Sequence, residues 1–266
     1  MKTDQPHILL RGGGDLGTGA ALRLHRASYR VLITELAQPL VIRRAVAFAS
    51  AIYDGSIGVE GVIAQRIDQL DQADRVWSID HIPVLADPDR SISARWQPAV
   101  LVDAIMAKIN VGTHLHDAPI VIALGPGFTV GLDCHAIVET NRGHNLGRVY
   151  YQGSAEVDTG RPGKIGGEDN KRTLRAPIEG LFRAEKKIGD KVVAGDVIAR
   201  IGSFSIKTEI DGVVRGVLHN DVAVAAGAKV ADVDPRGEAS YCFSVSDKAW
   251  AVGGGVLEAV MFLSRA

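Results

Sequence analysis

The stretch "ILLRGGGDLGTGAALRLH", residues 8–25, decides the fold of the first half of the chain. A short apolar run leads into a glycine cluster, and the apolar residues after the cluster recur near helical spacing. The next segment, "YRVLITEL" at 29–36, is apolar again and carries Glu35 near its end. The order of strand, glycine turn, helix and strand predicts a βαβ unit.

The glycines of this stretch indicate a phosphate-binding turn. Gly12, Gly14 and Gly17 fit G-x-G-x-x-G, in which the glycines permit the turn, the approach of a pyrophosphate and close helix–strand packing. Glu35 follows where an acid would bind a ribose hydroxyl. A plain packing corner stays open as an alternative, and Asp15 leaves open a pterin or amide in place of one phosphate. The predicted cofactor-binding residues are Gly12, Gly13, Gly14, Asp15, Gly17, Glu35, Gly125 and Gly127.

Three further apolar runs, at 81–87, 99–106 and 119–128, are nearly continuous rather than alternating. Such runs are typical of strands that are covered on both faces of a parallel sheet. The pattern therefore predicts an α/β fold with a Rossmann-like parallel sheet. A second glycine turn, 125–131, follows the last of these runs, so we expect both glycine turns to line one crevice at the carboxyl edge. A loop that only closes the strand is the alternative.

Composition narrows the choice of partners. The 266 residues contain 30 Lys and Arg against 31 Asp and Glu, so no strong field attracts nucleic acid or an anionic membrane. Two cysteines are too few for a disulfide scaffold. A basic leader and an apolar window of about 18 residues are both missing from the sequence, which predicts a cytoplasmic protein.

The second half contains an internal repeat. Residues 178–201 and 210–233 align without gaps at an offset of 32, and the phrase "VVAGDVI" resembles lipoyl and biotinyl carrier domains. This similarity implies a small β barrel-sandwich hybrid domain. The bridge between the repeats has only Lys207, which we expect to be solvated and unmodified. The predicted domains are 1–172, 173–236 and a C-terminal segment, 237–266, whose helix rejoins the first domain.

Side chains suited to chemistry concentrate just beyond the last apolar run. The predicted catalytic residues are Asp133, His135, Glu139 and Arg142. If "CHAIVET" is a strand, His135 and Glu139 share one face and present a base and an acid to one substrate. The alternative is that His135 is a hydrogen-bonded core residue and the charges are solvated. The pairs C-x-x-C and H-x-x-x-H, which are typical of zinc sites, are absent from the sequence, so no metal site is predicted.

The phrases "RGGGDLGTG", "LGPGFTVGLDCHAIVET" and "SDKAWAVGGGVLEA" together resemble the selenium-dependent molybdenum hydroxylase system proteins of the YqeB type. The resemblance extends over almost the whole chain. It implies a role in the maturation of molybdenum hydroxylases, with an apo-hydroxylase as partner and molybdopterin dinucleotide or NAD(P) as ligand. Two other functions stay open: an NAD(P)-dependent oxidoreductase with its own substrate, and a structural adaptor. The sequence also leaves open a homo-oligomer.

Overall fold

A computed structural model describes residues 6–158, 160, 165–168 and 170–265. They belong to two compact units. The larger unit takes the described parts of 1–39, 48–159 and 245–266, and the smaller takes those of 40–47 and 160–244. The predicted domains end at 172 and 236, whereas the smaller unit also takes in 40–47, which contacts a strand of the second half.

A nine-stranded sheet forms the centre of the larger unit, in the order β3-β4-β5-β2-β1-β6-β7-β8-β9. Its strands are β1 (His7–Arg11), β2 (Arg30–Glu35), β3 (Ser56–Val59), β4 (Val62–Ile67), β5 (Ile82–Ala86), β6 (Val100–Asp103), β7 (Ile120–Leu124), β8 (Ala136–Val138) and β9 (Val149–Tyr150). From β4 to β8 in this order, neighbouring strands are parallel. The edge strands β3 and β9 are antiparallel to their neighbours.

The predicted fold class is wrong. The large sheet is mixed rather than parallel, because two short strands fold back on its edges as β3 and β9. The second half contains two four-stranded antiparallel sheets rather than the expected barrel-sandwich hybrid. Long apolar runs identify central strands but carry no signal for short edge strands such as β9, which has only two residues.

Helices cover both faces of the large sheet. They are α1 (Asp15–Arg26), α2 (Ala51–Asp54), α3 (Ala73–Ser78), α4 (Ile92–Trp96) and α5 (Asp247–Leu263). Residues of α3 and α4 share one core with Leu9 of β1. The next residue, Leu10, points to the other face, where α1 packs closely enough that a Cβ at Gly17 would contact its side chain. None of the helices in the described residues has both the length and the apolar character needed to cross a membrane.

Glycines bring α1 and α5 into backbone contact. A Cβ at Gly253 would lie 2.5 Å from the carbonyl oxygen of Gly19, and a Cβ at Gly19 would overlap the carbonyl of Ala249. Gly253 of the last helix therefore packs on the first helix. α5 begins at a capped end, because the Ser246 hydroxyl accepts a hydrogen bond from the amide of Ala249 at 3.1 Å.

The smaller unit has two antiparallel sheets, ordered β10-β17-β15-β12 and β14-β13-β11-β16. Its strands are β10 (Thr173–Arg175), β11 (Gly180–Ala184), β12 (Lys191–Val192), β13 (Val197–Ile201), β14 (Phe204–Lys207), β15 (Gly212–Val217), β16 (Ala223–Val224) and β17 (Lys229–Asp234). Each sequence repeat supplies three strands. The middle strand of each repeat, β12 or β16, pairs with the other repeat.

Segment 40–47 completes the smaller unit from far away in the sequence. The carbonyl of Ile42 accepts a hydrogen bond from the amide of Val217 at 2.8 Å. The side chain of Arg44 donates through Nε to the carbonyl of Val217, also at 2.8 Å. This segment therefore lies along β15, although more than half of the chain separates the two in sequence.

Candidate functional site

The carboxyl edge of the large sheet gathers most of the predicted binding residues. Because β1, β2, β6 and β7 are parallel, their final residues lie along one edge. The glycine turn after Arg11, the carboxylate of Glu35 and the turn that begins at Gly125 all follow these strands. The two glycine turns therefore leave the same edge.

Packing accounts for most of the glycines in the first turn. Gly12 has a φ of +95°, and a Cβ there would lie 2.8 Å from the carbonyl oxygen of Ala104. A Cβ at Gly13 would lie 2.9 Å from the amide of Ala49, and one at Gly17 would overlap the carbonyl of Gly12. Gly14 differs, since its φ of −65° suits any residue. Gly13 and Gly17 also lack a positive φ, so close packing rather than backbone conformation requires glycine at these two positions.

Glu35 contacts the glycine turn directly. Its Oε1 accepts a hydrogen bond from the amide of Gly13 at 2.7 Å, and its Oε2 accepts one from the amide of Leu36 at 3.0 Å. Burial raises the pKa of Glu35 above its usual value, while the two amide hydrogen bonds lower it. Glu35, which the sequence pattern predicts to bind a ribose, therefore stabilises the conformation of the glycine turn.

The N-terminus of α1 opens at the same edge. Its N-cap residue, Gly14, makes no side-chain capping hydrogen bond, and Asp15 is the first helical residue. The first amides of a helix lack intrahelical acceptors and carry the positive end of the helix dipole. The amide end of a helix favours an anionic group.

A buried polar network, not foreseen from the sequence, lies beside the turn. Arg11 donates to the Thr113 hydroxyl at 2.9 Å, to Asp117 at 3.1 Å and to the Ser93 hydroxyl at 2.8 Å. Thr113 in turn donates to Asp103 at 2.6 Å, and burial raises the pKa of Asp103. The sequence signal that could have revealed this network is that Arg11 and Asp103 each end an otherwise apolar strand.

The second glycine turn packs against neighbouring loops. The amide of Gly125 donates to the carbonyl of Val138 at 2.9 Å. A Cβ at Gly127 would lie 2.7 Å from the Cα of Ile109, which belongs to the loop that also touches Gly12 through Ala104. The loop after β6 therefore contacts both glycine turns.

The predicted catalytic residues are not brought together. β8 has only three residues, so His135 precedes it at the amino edge while Glu139 follows it at the carboxyl edge. Glu139 is fully buried and accepts hydrogen bonds from the amides of Asn141 and Glu156. His135 and Glu139 flank β8 and lie on the same face, but the length of this strand keeps their side chains apart.

The other two members of that group also have structural partners. Arg142 donates two hydrogen bonds to Asp247, at 2.7 and 2.8 Å, and so ties its loop to the start of α5. Asp133 accepts hydrogen bonds from the Asn110 side chain at 2.9 Å and from the amide of Thr129 at 2.8 Å. The expected grouping of a base, an acid and a cation therefore does not form. The described residues also contain no group of three or more metal-ligating side chains.

Cys134 is fully buried, and burial raises the pKa of its thiol to about 12. Because a thiolate is the reactive form, we expect iodoacetamide at pH 8 to leave Cys134 unmodified in the folded protein. Intact-mass spectrometry measures the result, and alkylation in guanidinium chloride is the positive control. An added mass in the folded wild type that is lost in Cys134→Ser would contradict this assignment.

The fold and the candidate site together define the class of this protein: a two-unit α/β protein with a mixed nine-stranded sheet and a glycine turn at the carboxyl edge of that sheet.

No protein-family model matches the chain. The chain is 50% identical over 267 residues to "Uncharacterized protein YqeB" of Escherichia coli strain K12, an alignment covering 99% of this chain and 49% of that protein. The chain spans about half the length of this curated relative.

Two solved structures show weak overall similarity. An aspartoacylase family protein from Mesorhizobium loti has a TM-score of 0.28 and 11% identity, covering 86% of this chain and 85% of that one. A succinylglutamate desuccinylase/aspartoacylase from Rhodobacter sphaeroides has a TM-score of 0.28 and 15% identity with the same coverage.

Proposed function

We propose that this chain binds a nucleotide-containing ligand at the carboxyl edge of its large sheet and serves in the maturation of selenium-dependent molybdenum hydroxylases. The ligand is molybdopterin dinucleotide or NAD(P), and the partner is an apo-hydroxylase in the cytoplasm. The maturation role follows from the family resemblance, and the binding role follows from the geometry of the glycine turn.

The position of β1 carries the binding proposal. From β1 the chain continues to β2 on one side, whereas β6 lies on the other side. In open α/β sheets, ligands bind outside the carboxyl ends of strands at the point where successive connections diverge. The glycine turn after β1 lies at that point.

The start of α1 supports a phosphate at this position. The backbone amides of its first turn are hydrogen-bond donors, and the helix dipole adds positive potential there. Gly14 brings no side chain that would fill the space in front of them. A phosphate or pyrophosphate has the charge and the acceptor oxygens that these amides require.

Glu35 supports a ribose next to that phosphate. Each of its carboxylate oxygens accepts one amide hydrogen bond and retains a further lone pair, which a sugar hydroxyl can use. Tyr53 lies near enough for the charge of Glu35 to raise its pKa, after the larger effect of burial. The residues at this edge therefore fit a nucleotide, with its phosphate at Gly14 and its sugar toward Glu35.

Calorimetric titration of the full chain with ADP, CDP, GDP, NAD⁺ and NADP⁺ tests the proposal. We expect one of them to bind with a stoichiometry of one, because the part of the chain that the structure describes has one glycine turn between a strand end and a helix start of this kind. Fluorescence of the purified protein adds a second readout, since a co-purified pterin favours the maturation role. Turnover of NADPH would instead support an oxidoreductase. If none of the five nucleotides binds and no chromophore co-purifies, the proposal is wrong.

A further inference from the structure

A cleft of about 460 Å³ lies between the last turn of α1 and the adjoining face of α5, both in the larger unit. Arg23, Arg26 and Ala27 line it from α1 and its C-cap, and Trp250 and Leu257 line it from α5. Residues at these spacings share one face of a helix. The cleft is therefore built from one face of each helix, and its volume is in the range of sites that hold small organic molecules.

The two arginines of the cleft share one indole ring. The guanidinium carbon of Arg23 lies 4.6 Å from the centroid of the Trp250 ring, and that of Arg26 lies 5.1 Å from the same centroid. A guanidinium that stacks on an aromatic face keeps N–H groups at its edge for acceptors. Because residues three apart on a helix are neighbours on its surface, a single anionic group can contact both cations.

The charges of the two arginines are compensated to different extents. Among the residues that the structure describes, no carboxylate is paired with Arg23. Arg26 donates to the carbonyl of Glu60 at 2.9 Å, and its Nη2 lies 3.7 Å from the Glu60 carboxylate. Glu60 also accepts a hydrogen bond from the amide of Val245 and does not line the cleft. The lining residues therefore carry a net positive charge.

The negative end of the α1 dipole lies beside the cleft, but the carbonyls of the last turn have hydrogen-bond donors. The carbonyls of Arg23, Leu24 and His25 accept hydrogen bonds from amides within 27–29, at distances from 2.9 to 3.1 Å. These bonds reduce the partial negative charge that the end of a helix presents. The arginines therefore determine the sign of the potential in the cleft.

Close packing of the two helices fixes the shape of the cleft. Gly19 lies one helical turn before Arg23, and Ala249 directly precedes Trp250. A Cβ at Gly19 would lie 2.4 Å from the carbonyl oxygen of Ala249, so the two backbones are in contact. Trp250 is partly buried. A ligand therefore enters a cleft that is already formed, which lowers the entropy cost of binding.

We propose that this cleft binds a small organic phosphate, whose phosphate group is held by the guanidinium groups of Arg23 and Arg26. The apolar part of the ligand contacts Ala27, Leu257 and the edge of the Trp250 ring. A phosphate monoester carries close to two negative charges at pH 8 and therefore suits two cations better than a single carboxylate does. The site is independent of the nucleotide site, because the 12 residues of α1 place its two ends about 18 Å apart.

The variant Arg23→Gln removes the less compensated charge. Glutamine is also a good helix former with a long stem, so the exposed end of α1 should keep its structure. Arg95→Gln is the matched control, since Arg95 is likewise an exposed arginine in the last turn of a helix, and its helix α4 lies on the other face of the sheet. Thermal unfolding shows whether each variant keeps the wild-type fold.

The NMR resonances of the tryptophan indole N–H groups, recorded during titration with phenyl phosphate or benzoate, report on the cleft. Loss of one resonance in Trp250→Phe assigns Trp250. We expect this resonance to shift with phenyl phosphate, and the affinity to fall by about tenfold in Arg23→Gln. Arg95→Gln should bind as the wild type does. The same shift should persist in Gly14→Asp, which excludes binding at the glycine turn as its cause.

Arg26→Gln gives a second measurement, and it should weaken binding by about threefold because Glu60 already compensates part of the Arg26 charge. The proposal is overturned if millimolar phenyl phosphate does not shift the Trp250 resonance, or if folded Arg23→Gln binds as the wild type does. If Arg23→Gln does not fold, unchanged affinity of Arg26→Gln overturns it. Benzoate that binds as tightly as phenyl phosphate would overturn the assignment of a phosphate.

Discussion

Replacing Gly14 with aspartate is expected to weaken nucleotide binding by about a hundredfold, because a carboxylate would then lie where the ligand phosphate must bind. The fold should survive the change. Gly14 has ordinary extended backbone angles and occupies the N-cap of α1, a position that aspartate favours. The unfolding temperature should therefore stay near that of the wild type. Calorimetry with the nucleotide that binds best measures the loss.

Gly14→Asn is the matched control for that experiment. Asparagine has nearly the same size and also caps helices, but it has no charge. We expect it also to weaken binding, because its side chain enters the same space, but less than aspartate does, because it adds no negative charge. Equal affinity of the wild type and Gly14→Asp would show that no phosphate binds at the start of α1, and the glycine turn would then serve packing alone.

Gly253→Ala is expected to destabilise the protein by about 3 kcal/mol or more. The added methyl would lie 2.5 Å from the carbonyl oxygen of Gly19, and the backbone of α1 must move to admit it. Urea unfolding of the full chain measures the change in free energy. The effect is large because the contact is between two backbones, where no side chain can rotate away.

The next residue provides a control of opposite sign. A Cβ at Gly254 would meet no atom within 4 Å, so Gly254→Ala should stabilise α5 by about 0.5–1 kcal/mol through the lower entropy of the unfolded chain. If both substitutions change stability by the same amount, close packing of α1 on α5 is not the reason for Gly253.

Local patterns predicted the start of the fold well. The apolar run, glycine cluster and helical spacing at 8–25 correspond to β1, the turn and α1, and Glu35 ends β2 as expected. Parallel pairing then explains why the turns at Gly12 and Gly125 share one edge. The strands, the turn and the helix could be predicted from the sequence because each depends on neighbouring residues.

The rest depends on contacts between distant residues. The length of β8 decides that His135 and Glu139 lie at opposite edges, and three residues of strand leave too weak a pattern to set that length. Partners such as Asp247 for Arg142 lie more than a hundred residues away. A dense run of charged residues therefore predicted a shared site, although each side chain serves a different part of the structure.

Two contacts between parts of the chain that are distant in sequence affect how the protein folds during synthesis. Segment 40–47 needs β15, and α1 needs α5, so each unit joins an early part of the chain to a late one. Closing such long loops costs entropy before any contact forms, which slows folding. During synthesis, the apolar faces of the first strands and of α1 therefore stay exposed until the segments that cover them have left the ribosome. That interval exposes strand edges to aggregation, and a chaperone that binds the nascent chain would shield them until the partners are made.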